Sequence, residues 1–225
     1  ASDVYKRQVI SLLAYELGML LKKKFGLPIF NPLLISIAVV IVFLAVFDID
    51  YQNYNDGAKY LSYLLTPATV CLAIPLYEQM EALKKNIKAI LAGILSGVLT
   101  SLTVVLALAL IFNLNHKMYV TLLPKSITTA IGMGVSEELG GAVTITVAVI
   151  IITGVLGNML AETLCKLFHI EEPIAKGISI GSASHAIGTA KAMEMGDVEG
   201  AMSSLSIAVA GILTVVGASI YAMFI

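Results

Sequence analysis

The sequence predicts an all-α integral membrane protein with about 7–8 membrane segments, two of them interrupted or re-entrant polar segments. Three observations carry that expectation. The residues are 58% hydrophobic and only 13% charged, too few charges to cover a water-exposed surface. Uncharged windows at Phe25–Phe47, Tyr60–Tyr77, Ala89–His116, Leu139–Ala161 and Gly200–Ile225 approach or exceed the roughly 20 residues that span hydrocarbon as a helix. Among the later windows, "TLLPKSITTAIGMGVSEELGG" and "GISIGSASHAIGTAKAMEMG" put glycine, hydroxyl and ionisable residues where the neighbouring chain is apolar.

Taken in order, the chain opens with an apolar run from Val9 to Leu21, interrupted by Glu16 and closed by Lys22, Lys23 and Lys24. It has no small-residue cleavage pattern and reads as a short first span rather than a signal peptide. A second basic loop holds Lys84, Lys85 and Lys88, two spans further on, so the positive-inside rule puts both loops in the cytoplasm. Between them "FDIDYQNYNDGAKY", with Asp48, Asp50 and Asp56, reads as an outward loop with interfacial tyrosines. In the Ala89–His116 span the small residues of "LAGILSGVLTSLTVV" have no ionisable neighbour and read as a helix-packing face.

An internal repeat organises the rest. "TVCLAIP" from Thr69, "SITTAIG" from Ser126 and "SASHAIG" from Ser182 share one form at spacings of 57 and 56 residues, and each has a glutamate seven residues after its Ile: Glu81, Glu138 and Glu194. Each copy precedes a long apolar span. The expected organisation is a single membrane domain over 1–225, with scaffold helices at 9–60 and repeated units of interrupted segment plus helix at 61–225.

The composition also excludes. With a formal charge of −1 and no basic cluster interleaved with aromatics, nucleic acid is not a partner. Cys71 and Cys165 are far apart and sit in or beside apolar runs, which suggests neither a disulfide nor a metal site. His116 and His169 stand in loops remote from His185, so no metal-ligand spacing exists, and no cofactor is implied. There is no G-x-S-x-G elbow and no glycine-rich phosphate loop, so an enzyme is not expected.

Irregular backbone in hydrocarbon survives only when buried in protein or lining a watery cavity, because each unsatisfied group costs several kcal/mol. Broken helices at matching places therefore point to a transporter's midplane site, where free N–H groups and positive helix ends meet an anion. The candidate substrate-binding residues are Lys125, Ser126, Thr128 and Thr129 in the first break, with Ser182, Ser184, His185, Gly188 and Thr189 in the second. Glu137, Glu138 and His185 are the candidates for ion coupling, since ionisable groups at membrane depth point to function. Each has a plainer reading: Lys125 snorkelling to headgroups, the glutamates and Glu194 as solvated helix ends, His185 as a satisfied interhelical residue.

The strings "LLPKSITTAIGMGVSEELGG" and "GISIGSASHAIGTAKAMEMGDVEGAMSSLSIAVAGILT" resemble the LrgB/CidB family of bacterial membrane proteins, from about Ile29 onward. Ala130 and Gly132 stand where more bulk or a proline is expected. The resemblance implies one of two activities. Bacterial members are described as holin/antiholin-like partners of LrgA/CidA proteins that influence murein hydrolase activity and lysis. A chloroplast relative, fused from LrgA-type and LrgB-type parts, moves glycolate and glycerate, and some bacterial relatives are linked to pyruvate uptake. The breaks favour a secondary transporter of a small carboxylate in the bacterial inner membrane, working as a homodimer with a possible LrgA/CidA-type partner. The alternative is a holin/antiholin-like protein that modulates murein hydrolase activity and lysis with an LrgA-type partner.

Overall fold

A computed structural model describes residues 2–225, with the side chains of residues 2–7, 28, 65, 66 and 69 left aside. The described residues are helical throughout, with no strand among them, and divide into two compact units, Ala1–Cys71 and Leu72–Ile225.

The first unit holds α1 (Ser2–Phe25), α2 (Pro32–Val46), α3 (Tyr51–Ser62) and α4 (Leu65–Cys71). Helix α1 ends at Gly26, whose φ of 66° suits a residue without a Cβ. Asn31 caps α2 by accepting from Leu33 N at 2.9 Å and Leu34 N at 3.2 Å, with Pro32 in the first turn. That start leaves α2 only 15 residues, so the Phe25–Phe47 window does not become one long span. The expected outward loop is instead largely α3. Asp50 caps it by accepting from Gln52 N at 2.9 Å, and Tyr54 Oη lies 2.7 Å from Ser11 Oγ of α1.

The second unit holds α5 (Ala73–Glu78), α6 (Met80–Ile111), α7 (His116–Leu122), α8 (Thr129–Glu138), α9 (Val143–Leu167), α10 (Pro173–Met195) and α11 (Asp197–Tyr221). The regions Met80–Ile111, Val143–Leu167 and Asp197–Phe224 are long and apolar enough to cross a membrane. The Tyr60–Tyr77 window is divided among α3, α4 and α5 and gives no continuous span, with Pro67 and Pro75 each in the first turn of a short helix. Along α6 the buried residues Ile90, Ile94, Val98, Leu102, Val105 and Ala109 form one stripe, while Leu91, Leu95, Leu99 and Leu108, flanking it, are exposed. An outer face as apolar as the inner one is what a lipid solvent selects.

Two pairs of short helices fold back on themselves between the long ones. Thr146 Oγ1 of α9 donates to Thr121 O of α7 at 2.9 Å and lies 2.7 Å from Ser136 Oγ of α8, so α7 and α8 stand side by side, joined by the bend at 123–128. Helix α10 is broken at His185, where φ is 42° and ψ −142°. Beyond the break the chain turns back: a Cβ at Gly188 would lie 3.1 Å from Ile180 Cγ2 and 3.3 Å from Ile180 O, eight residues earlier. In a straight helix eight residues rise about 12 Å.

The two hairpins enter from opposite ends of the bundle. Tyr119 of α7 donates to Tyr221 O at 2.8 Å, near the last residues of α11, whereas Gly177 of α10 sits against Glu199 at the start of α11. Each hairpin is followed by one long helix, α9 or α11. Because each hairpin-plus-helix pair crosses the bundle once, the second runs opposite to the first. In all three copies a helix boundary or break falls at the fourth motif position or beside it: Leu72, Thr129 and His185.

Candidate functional site

The hairpin tips meet the middle of α6. Ser126 Oγ lies 3.2 Å from Ser101 Oγ, and Lys125 Nζ donates to Ser126 Oγ at 2.9 Å. One turn earlier on α6, a Cβ at Gly97 would come within 2.9 Å of Ser182 Oγ, so the absence of a side chain there lets the second hairpin approach. Lys125, Ser126, Ser101, Ser179 and Ser182 line one cavity of about 820 Å³, which continues along α6 to Asn86 and Glu172. Ser96 and Thr100 of α6 add two further hydroxyls, and the remaining wall is apolar apart from the one ammonium and the polar groups at its mouth.

Of the candidate substrate residues, Lys125, Ser126 and Ser182 share this cavity. The others hold the tips in shape. Thr128 occupies the N-cap position of α8 and Thr129 is its first residue. Ser184 packs into the space left by Gly157 of α9, and Gly188 lies against Ser184 and Ile180. His185 Nε2–H donates to Ile150 O at 3.0 Å, its ring seated against Gly154. Thr189 Oγ1 donates to His185 O at 2.9 Å and lies 2.7 Å from Ser203 Oγ, while Asn158 Nδ2 donates to Ile187 O at 2.7 Å. Backbone carbonyls around the break are thereby satisfied without water, which makes a break inside a bundle affordable. Glu137 and Glu138 are exposed in the last turn of α8. Glu194 is exposed and pairs at 3.1 Å with Lys191, which also reaches Glu162 at 2.6 Å.

Two contributors escaped the sequence reading. The face of α6 with Gly93, Gly97 and Ser101, read there as packing, packs at its glycines and also lines the cavity. Asn158, a lone amide within an uncharged window, carried a usable signal.

The sequence matches the LrgB-like family over residues 11–224. The chain belongs to that family. Proteins named antiholin-like protein LrgB from Bacillus mycoides, Bacillus cereus and Bacillus anthracis are each 40% identical to it over 218 residues, covering 96% of this chain and 95% of theirs. No solved structure matches it. The LrgB match covers both hairpins and the cavity between them, so these are features of the family region and not of an appended segment.

Proposed function

We propose that this chain is an antiholin-like protein of the bacterial cytoplasmic membrane that, with an LrgA-type partner, restrains murein hydrolase activity and lysis. The observation that carries the reading is 40% identity over 96% of the chain to relatives named antiholin-like. The test is depletion of the chain from cells that keep the LrgA-type partner: murein hydrolase activity and lysis should rise, and unchanged values overturn the proposal.

A second reading, carriage of a small carboxylate such as pyruvate, glycolate or glycerate, is favoured by one observation, the ammonium of Lys125 in a cavity lined with Ser101, Ser126 and Ser182. On this reading the two hairpins are re-entrant from opposite faces, their tips meet at the bilayer midplane, and the inverted pair of units rocks to expose the cavity to either side. Lys125 supplies the charge and the serines the directional hydrogen bonds. Proteoliposomes containing the chain alone should show saturable, stereoselective carboxylate uptake. Size-tolerant leakage of dyes, or no uptake, overturns this reading and leaves the first standing.

A further inference from the structure

The Lys125 cavity offers hydrogen-bond donors at one end and an apolar path along its length. At the level of Ser101 the Lys125 ammonium donates one N–H to Ser126 Oγ at 2.9 Å and keeps two for a ligand. Among the described residues no ion pair reaches that ammonium, and it is the only cation that lines the cavity.

Towards the mouth the wall changes character. Gly93 and Ala89 of α6 run beside Ile174, Ala175 and Ile178 of α10, and a Cβ at Gly93 would stand 3.3 Å from Ile178 Cγ2. The hydroxyls on this stretch are already committed to helix carbonyls: Ser96 Oγ donates to Gly93 O at 2.8 Å and Ser179 Oγ to Lys176 O at 2.9 Å. They keep lone pairs only, which a carboxylate cannot use. Polar groups return at the mouth with Asn86 and Glu172.

Size and charge narrow the occupant. The eight residues from Ser101 back to Gly93 rise about 12 Å, whereas a three-carbon acid measures about 4 Å between its end atoms. A volume of about 820 Å³ lies in the range of sites that enclose far larger, mainly apolar ligands. With one cation inside and a carboxylate at the mouth, a phosphate or dicarboxylate would bring a second charge that nothing balances. Ala89, Ser96 and Thr100 line the cavity and are exposed on the side of α6. The cavity is therefore open along the helix as well as at its mouth, which admits a molecule dissolved in the bilayer.

We propose that the Lys125 cavity takes a medium-chain monocarboxylate, its head on Lys125, Ser101 and Ser126 and its unbranched apolar tail along Gly93, Ala89 and Ile178. This assignment rests on the second functional reading, in which Lys125 receives a carboxylate, and adds the tail.

The probes are acetate, butyrate, hexanoate and octanoate, titrated calorimetrically into the full chain in lipid nanodiscs, with protein-free nanodiscs subtracted to remove partition into lipid. Affinity should rise about three- to fourfold per added methylene. Octan-1-ol, which has the tail without the charge, should bind at least about tenfold more weakly than octanoate. Ala175→Phe, at an exposed position on the tail path, should leave octanoate bound no tighter than butyrate. Should that variant fail to insert, Ala89→Phe, which blocks the same path from α6, is read the same way. Equal affinity for acetate and octanoate overturns the tail and leaves the second functional reading standing. Octan-1-ol bound as tightly as octanoate, or wild-type octanoate affinity in the variant that inserts, also overturns the assignment. No saturable heat with any acid, pyruvate included, overturns the carboxylate reading and the tail with it.

Discussion

Ser101 Oγ and Ser126 Oγ lie 3.2 Å apart, which fixes the tip of the first hairpin against the middle of α6. Lys125 donates to the same Ser126 hydroxyl at 2.9 Å. A break, a cation and a long helix are thereby joined through one side chain. If a carboxylate replaces Ser126 as the partner of the ammonium, it gains a charge-assisted bond of about 1.5–3 kcal/mol. Lys125→Ala should then weaken carboxylate binding about tenfold or more. Ser219→Ala, an exposed change on α11, should not. Isothermal titration with pyruvate on both variants checks this, and equal affinities would remove Lys125 from the site.

The tip of the second hairpin depends on missing atoms. A Cβ at Gly154 would stand 2.8 Å from His185 Cε1 and 2.9 Å from Ile187 Cβ, both in rigid surroundings. Gly154→Val should therefore destabilise by about 1–3 kcal/mol or more. Ile152→Val on the exposed side of the same helix should stay within about 0.5 kcal/mol of wild type. Thermal unfolding in detergent compares them. An unchanged midpoint for Gly154→Val would mean that the ring of His185 is not seated where the contacts place it.

Thr146 ties the first hairpin to α9 through Thr121 O and Ser136 Oγ. Thr146→Val keeps the shape and strands one buried acceptor, Thr121 O, and the buried hydroxyl of Ser136, at a cost of about 1–3 kcal/mol. Thr144→Val, two residues away and exposed, provides the comparison in the same unfolding assay.

Fold-back of both hairpins makes a topological prediction. Single cysteines at His116 and Glu138 should react with an impermeant thiol reagent from one side of the membrane, and cysteines at Glu172 and Glu194 from the other, the side that also labels Lys84. Reaction of the 116 and 138 positions from opposite faces would turn the first hairpin into a crossing helix.

The breaks were legible from small and hydroxyl residues inside so apolar a chain, at corresponding 56- and 57-residue spacing, but their extent was not: of the stretches 126–134 and 182–188 expected to leave helical geometry, Thr129–Gly134 is helical in α8 and the break in α10 is confined to His185. Their fold-back was only half legible: composition marks a break, but reversal depends on Gly188 meeting Ile180, a contact between residues of the same segment. Span lengths were misjudged where prolines begin helices. Hydropathy averages across Pro32, Pro67 and Pro75, whereas the backbone starts anew at each. Tyr51–Ser62 was read by charge as a loop, yet Asp50 supplies a helix cap and the tyrosines a packing face.

Restraint of lysis through an LrgA-type partner is the central claim, and the lysis rate of bacterial cells measures it most directly. Cells lacking their own LrgB-family protein would carry the LrgA-type partner alone, the partner with this chain, or the partner with Gly154→Val, matched for membrane protein level. The account predicts that the chain slows lysis and lowers murein hydrolase activity relative to partner alone, and that the hairpin variant restrains less. Equal lysis with and without the chain, at equal expression of the partner, would contradict it.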